Sequence, residues 1–126
     1  MNNINLLAIF IGGGFGSVVR YGLSRWVYAN LSSSFPYGTL LVNILSCLIL
    51  GIFMGYYSEK LLMNPSVKVL ITVGFCGGFS TFSAFAYETV ELLKVEQYWA
   101  ASANIAVSLF ACIFSIIAGL LISKLL

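Results

Sequence analysis

Charge is the scarcest property of this chain. Only 8% of its 126 residues are charged, against about 25% in a soluble globular domain. Histidine and aspartate do not occur, so the usual acid–base and nucleophile–base pairs are missing and an enzyme is the least expected class. The net charge of +2 is spread along the chain, which leaves no basic patch for a nucleic acid.

Cysteine is also rare, and no two cysteines are close in sequence. Cys47, Cys76 and Cys112 each fall inside a long apolar run. Single thiols in such places usually behave as small hydrophobic groups. The spacing therefore predicts neither a disulfide framework nor a metal-binding knuckle.

Apolar residues are abundant, at 60% of the chain, and the mean hydropathy is +1.02. These values predict an all-α integral membrane protein. Because one spanning helix needs about 20 residues, we expect a single domain over 1–126 with four spans, at about 4–27, 37–57, 66–93 and 100–125. The short links between them predict an up-down-up-down bundle with both termini on one side.

The third predicted span is interrupted near its middle by a glycine pair and several hydroxyl residues. Backbone polar groups cannot be left open to lipid, so such a break must line a cavity, bind something or pack against protein. We predict that the helix breaks at Gly77-Gly78. The last carbonyls of its first half would suit a hard monovalent cation, and Ser80 or Thr81 would cap the second half.

Polar stripes run along the second and fourth spans. Thr39 and Asn43 share one helical face with Ser46 or Cys47, and Asn104, Ser108 and Cys112 recur every four residues. Mid-membrane polar side chains either join helices or line a pore, and the sequence leaves both readings open. Small-residue pairs, Gly12 with Gly16 and Gly51 with Gly55, predict close helix approaches.

Two phenylalanines follow the break at helical spacing. The positive edges of the Phe82 and Phe85 rings could face a small anion, although ordinary packing is the commoner role. Glu88 lies further along and is either a snorkelling structural carboxylate or part of a polar track with Thr89. Arg20 is a pore-mouth candidate whose plainer role is an interface anchor.

The basic residues are divided evenly between the two sides of the predicted bundle. Lys60, Lys68 and Lys124 fall on the side of the termini, and Arg20, Arg25 and Lys94 fall on the other. Orientation in the membrane follows a bias in Lys and Arg, and this chain has none. We therefore expect insertion in both orientations and antiparallel pairing of two copies.

Three motifs, in order, carry a family resemblance: residues 12–21 (GGGFGSVVRY), 38–43 (GTLLVN) and 74–85 (GFCGGFSTFSAF). They resemble the signatures of the Fluc/CrcB fluoride channels, and the resemblance covers essentially the whole chain. It implies an antiparallel, dual-topology homodimer in the plasma (inner) membrane. It also implies passive, selective export of fluoride from the cytoplasm, which reduces fluoride toxicity, and one structural sodium ion on the dimer axis.

The same resemblance implies roles for individual residues. Gly77 and Ser80 would give backbone carbonyls to sodium, and Asn43 would donate to fluoride beside the rings of Phe82 and Phe85. The remaining implied pore residues are the polar-track positions and a vestibule arginine: Thr39, Ser83, Glu88, Ser108, with Cys112 at a further track position, and Arg20. Two other classes stay open, a proton-coupled multidrug exporter of dual topology and a non-transporting membrane scaffold subunit.

Overall fold

The computed structural model describes residues 3–59 and 64–126, and within these ranges the regular structure is entirely helical. The elements are α1 Asn3–Asn30, α2 Tyr37–Glu59, α3 Pro65–Val69, a π-helical segment Leu70–Cys76, α4 Gly77–Phe79, α5 Phe82–Lys94 and α6 Tyr98–Ser123. Four stretches are long and apolar enough to cross a membrane: α1, α2, 65–94 and α6. The predicted all-α fold with four spans is confirmed. Lys60 and the predicted link at 61–63 lie outside the described residues.

Contacts between the spans establish their directions. Thr39, at the start of α2, meets Glu88 near the end of the third span, whereas Ser46, further along α2, meets Cys76. Residue numbers rise on one helix as they fall on the other, so these two spans are antiparallel. Tyr28, near the end of α1, meets Thr39 at 3.4 Å, which makes α1 and α2 antiparallel as well. The bundle therefore runs up and down as predicted.

The first half of the third span, residues 65–79, packs tightly along α1. A methyl group placed on Gly12 would lie 2.9 Å from the backbone nitrogen of Phe75 and 3.1 Å from the Cα of Gly74. One turn later, a methyl group on Gly16 would lie 2.9 Å from the nitrogen of Phe79. Only glycine allows backbones to approach this closely, which confirms the predicted packing role of the Gly12–Gly16 pair.

A second glycine contact joins α2 to α6. A methyl group on Gly119 would lie 2.7 Å from the nitrogen of Ile52 and 2.9 Å from the Cα of Gly51. A methyl group on Gly55 would meet the Cβ of Ser123 at 2.7 Å. The predicted Gly51–Gly55 pair is thus a helix contact, and α2 and α6 run parallel through it.

The interruption in the third span exists, but it lies three residues beyond the predicted position. Gly77 has helical angles (φ −65°, ψ −36°), whereas Ser80 (φ −79°, ψ 160°) and Thr81 (φ −153°, ψ 113°) are extended. The prediction of a break at Gly77-Gly78 is therefore wrong in position. Gly78 is needed for packing, because a methyl group there would lie 3.0 Å from the Cα of Gly13.

The π-helical segment before the break was not predicted. It covers seven residues, Leu70–Cys76, inside the half that packs on α1. Its wider turns give no distinct signal in a uniformly apolar run, because hydrophobic periodicity needs polar positions to be read. Segments of this kind often occur at functional sites, and this one ends directly before the break.

Candidate functional site

The break begins at a backbone carbonyl that accepts three hydrogen bonds. The Cys76 carbonyl oxygen accepts hydrogen bonds from the Ser80 amide at 2.9 Å, from the Ser80 hydroxyl at 2.8 Å and from the Ser46 hydroxyl at 3.0 Å. Two side-chain hydroxyls therefore support the end of the first half-helix. Ser46, which the sequence placed on the polar face of α2, has a structural partner here.

Asn43 holds the extended residue that follows. Its Oδ1 accepts the Thr81 amide at 2.7 Å, and its Nδ2 donates to the Thr81 carbonyl at 3.2 Å. Both backbone groups of Thr81 are thus satisfied at membrane depth, as an apolar environment requires. One N–H of the Asn43 amide is left for a further partner. The glue and pore-lining roles that the sequence left open are therefore compatible in this residue.

Two carbonyls at the break lose their usual helical donors. In a continuous helix Gly77 would accept from the Thr81 amide, but that amide donates to Asn43. Ser80 would accept from the Ala84 amide, but that amide donates to the Thr81 hydroxyl at 3.2 Å. Thr81 is therefore the N-cap of α5. The carbonyls of Gly77 and Ser80 therefore lose their helical hydrogen bonds, because the amides that would donate to them donate to side chains instead.

The surroundings of these carbonyls offer backbone oxygens and no cluster of side-chain metal ligands among the described residues. Gly77 is exposed on the protomer, and a methyl group there would meet nothing within 4 Å. Across the described ranges, no group of three or more His, Cys, Asp or Glu residues could hold a metal ion. Neutral carbonyl oxygens at the negative end of a half-helix are the oxygen ligands that hard cations prefer.

The second half-helix, α5, lies beside an open groove with a volume of about 500 Å³. We call it the phenylalanine groove; the residues used below that line it are Asn43, Cys47, Ser80, Phe82, Phe85, Ser108 and Cys112. The ring centroids of Phe82 and Phe85 are 5.4 Å apart with planes tilted by 46°, and Phe82 is 79% exposed. Six of the predicted positions, Cys112 included, therefore lie along one surface.

Glu88 forms a separate polar cluster with residues near the end of α1 and the start of α2. Its Oε1 accepts the Thr39 hydroxyl at 2.7 Å and the Tyr28 hydroxyl at 2.9 Å. Its Oε2 is buried and has no hydrogen-bond partner among the described residues. Sequence reasoning included Glu88 and Thr39 but missed Tyr28, because a tyrosine near the end of a span looks like an ordinary interface residue.

The polar stripe of α6 connects to α5 through a chain of hydrogen bonds. Ser108 donates to Asn104 at 3.3 Å, Asn104 donates to Thr89 at 2.9 Å, and Thr89 donates to the Phe85 carbonyl at 2.8 Å. Asn104 is 1% exposed. In this stripe Asn104 therefore joins α6 to α5, while Ser108 hydrogen-bonds Asn104 within α6 and lines the groove.

Two predicted pore residues lie neither in the phenylalanine groove nor in the Glu88 cluster. Ser83 is exposed on α5, with its hydroxyl 3.3 Å from that of Thr81. Arg20 is half-buried on α1, the helix that packs on the first half of the third span. A role for either in a pore therefore stays a prediction.

The fold and site define a small multi-pass membrane protein with an interrupted helix beside a membrane-embedded groove. Comparison with known proteins identifies its family: residues 7–120 match the family model described as "CrcB-like protein, Camphor Resistance (CrcB)". The chain belongs to the CrcB family. In bacteria the membrane of such a protein is the inner membrane.

Curated relatives match over most or all of the chain. A protein of Geotalea uraniireducens is 37% identical over 126 residues, covering 100% of both chains. One of Coxiella burnetii is 40% identical over 122 residues, covering 96% of this chain and 98% of the relative. One of Phocaeicola vulgatus is 45% identical over 94 residues, covering 75% and 77%. Each of these relatives is named "Fluoride-specific ion channel FluC".

Proposed function

We propose that this chain is a fluoride-selective passive channel that exports fluoride from the cytoplasm and so reduces its toxicity. The observation that carries the proposal is the meeting of the Asn43 amide with the Phe82 and Phe85 rings in one groove. An amide N–H and two ring edges can replace part of the water around a small anion without a fixed positive charge. The full-length similarity to proteins named fluoride-specific channels supports the choice of anion.

The direction of flow follows from the membrane potential. Hydrogen fluoride crosses a bilayer as a neutral weak acid and dissociates in the cytoplasm. An inside-negative potential drives a monovalent anion outward by about 2.3 kcal/mol per 100 mV. A passive path is therefore enough to prevent accumulation, and no catalytic step is required.

The functional unit of this proposal is an antiparallel homodimer. In one protomer the groove is open, Phe82 is 79% exposed, and Gly77 is exposed. Backbone polar groups that lack partners cannot face lipid. A second copy in the opposite orientation would cover the groove and Gly77, and the even division of basic residues in the sequence allows both orientations.

Sodium is the proposed structural ion of the dimer. The Gly77 and Ser80 carbonyls of each copy would hold it where the two breaks meet. Bound there, the ion would neutralise the negative ends of two half-helices. Replacing sodium by a larger monovalent cation is expected to weaken the dimer or its activity, as read by dimer mass and fluoride flux.

The test of the proposal is fluoride efflux from liposomes that hold the purified protein, with chloride efflux measured in parallel. Fluoride release without chloride release is expected. No fluoride release, or equal release of both anions, contradicts the proposal. Labelling of loop cysteines introduced into a background without native cysteines tests the orientation, and labelling from only one side of the membrane contradicts dual topology. The exporter and scaffold alternatives are not favoured, because the full-length relatives carry the names of channels.

A further inference from the structure

The phenylalanine groove contains two thiols that the proposed conduction mechanism does not use. Cys47 lies one helical turn beyond Asn43 on α2, and Cys112 lies one turn beyond Ser108 on α6. Both cysteines are free and half-buried, and both line the groove. The register of the two parallel helices brings them together, because Gly51 meets Ile116 and Cys47 and Cys112 each lie one helical turn before those residues.

This arrangement could not be read from the sequence, in which the two cysteines are 65 positions apart. It follows from the parallel packing of α2 and α6, which brings the two polar stripes side by side. Cys76 provides the internal contrast. It is 3% exposed and lies in the half of the third span that packs on α1, outside the groove.

We propose that Cys47 and Cys112 form a dithiol site for a soft divalent cation of the Hg²⁺ type. Thiolates are the protein ligands that soft metal ions prefer. On binding, each thiol releases one proton and forms one sulfur–metal bond, so the two thiolates balance the two positive charges. The complex is neutral, which suits a site whose other neighbours include Leu109, Ile113 and Ile116.

The site discriminates against zinc. Structural zinc takes four ligands in a tetrahedral arrangement, and the described residues around the two thiols supply no third His, Cys, Asp or Glu ligand. A cation that is satisfied by two sulfurs in line has no such requirement. The site should therefore retain Hg²⁺ under conditions in which it releases Zn²⁺.

Occupation of the site should also block conduction, a consequence that rests on the proposed function. The cation would sit one helical turn beyond Asn43 and Ser108, inside the same groove as the two rings. It would narrow the groove at that level and replace two neutral thiols with a bulky metal complex. Block should be reversed by an added small dithiol that competes for the metal.

The binding experiment uses the full-length protein in detergent, one equivalent of HgCl₂ and excess glutathione, followed by gel filtration and measurement of bound mercury. Wild type and Cys76→Ser should each retain one mercury per chain. Cys47→Ser and Cys112→Ser should retain it at least about 100-fold less tightly, because the second thiol acts as an intramolecular ligand. Equal retention by the single variants, loss in Cys76→Ser, or retention of zinc overturns the site.

The block is measured as fluoride efflux before and after HgCl₂, with each variant normalised to its own untreated flux. We expect flux to be lost in wild type and in Cys76→Ser. We expect no loss in either single variant, Cys47→Ser or Cys112→Ser. If mercury is retained without loss of flux, the proposed block is wrong and the dithiol site is still supported. Absence of fluoride flux from untreated protein contradicts the proposed function instead, and the mercury retention data are unaffected by it.

Discussion

The two halves of the third span are built for different tasks, although they belong to one apolar stretch of sequence. Residues 65–79 pack on α1 through glycine contacts and bury Cys76 and Phe79, each 3% exposed. Residues 82–94 pack against α6 and leave Phe82 79% exposed beside the groove. A single interruption thus lets one helix serve as scaffold on one side and as a groove wall on the other.

The contact between α1 and the first half of the third span should be the most sensitive to added volume, and this is the largest effect we expect. Gly12→Ala would drive a methyl group against backbone atoms of the third span, including the Phe75 nitrogen at 2.9 Å. Backbone cannot rotate away as a side chain can, so the cost should be about 1–3 kcal/mol or more. The measurement is the yield of folded protein and its thermal midpoint.

Gly22→Ala is the matched control for this prediction. It lies on the same helix, and its methyl group would meet nothing within 4 Å. Its thermal midpoint should equal or slightly exceed that of wild type, since alanine is favoured over glycine in a helix interior. Equal losses in the two variants would show that the α1 contact is not the basis of the scaffold.

The junction between the halves should be the next most sensitive region. Asn43→Leu removes both hydrogen bonds to the Thr81 backbone. An unsatisfied buried backbone group costs about 1–3 kcal/mol, so the variant should lose stability and fluoride flux together. Chemical denaturation and liposome efflux measure the two losses.

Ser46→Ala is the comparison for the junction. It removes one of three hydrogen bonds to the Cys76 carbonyl and leaves that oxygen satisfied by Ser80. Its loss should be smaller, about 1 kcal/mol or less. A Ser46→Ala loss as large as that of Asn43→Leu would contradict the account of Asn43 as the main clamp.

The second half should show effects on flux without effects on folding. Phe82→Ile or Phe85→Ile keeps an apolar side chain but removes the ring edges. An aromatic interaction of about 0.5–1.5 kcal/mol corresponds to a roughly two- to tenfold lower flux. Phe110→Ile, on the outer face of α6 and 59% exposed, should conduct normally. Unchanged flux in both ring variants would show that these phenylalanines serve only in packing.

The smallest effects should come from the cluster at the far end of α5. Thr39 is 5% exposed and Tyr28 is 41% exposed, and both donate to Glu88 Oε1. Thr39→Val should cost about 1 kcal/mol, and Tyr28→Phe less, because water can replace the more exposed partner. The thermal midpoints of the single and double variants measure this order, and a reversed order would contradict it.

Much of the difference between the two halves of the third span could be predicted from the sequence, for physical reasons. Apolar runs of spanning length identify four helices, and small-residue spacing identifies the α1 contact. The position of the break was not accessible, because it depends on the Asn43 side chain from another helix. Glycine composition pointed instead to Gly77-Gly78, where Gly78 serves close packing against Gly13 and Gly77 keeps helical angles.

The candidate site was accessible only in part for the same reason. Stripes and helical spacing made Asn43, Phe82 and Phe85 candidates, and the family resemblance implied their roles. The meeting of those residues in one groove required the packing of α2, α5 and α6. The Tyr28 contact with Glu88 joins residues 60 positions apart, and no local pattern signals it. Long-range partners of this kind emerge only from tertiary structure.

Fluoride flux per folded dimer, the functional unit we propose, tests the division most directly, measured for Gly12→Ala and Phe82→Ile beside wild type. We predict that the two variants lose different properties. Gly12→Ala should reduce the amount of folded dimer while each remaining dimer conducts as wild type does. Phe82→Ile should leave the amount of dimer unchanged while each dimer conducts less. Normal flux per dimer in Phe82→Ile, or a selective loss of flux per dimer in Gly12→Ala, would contradict it.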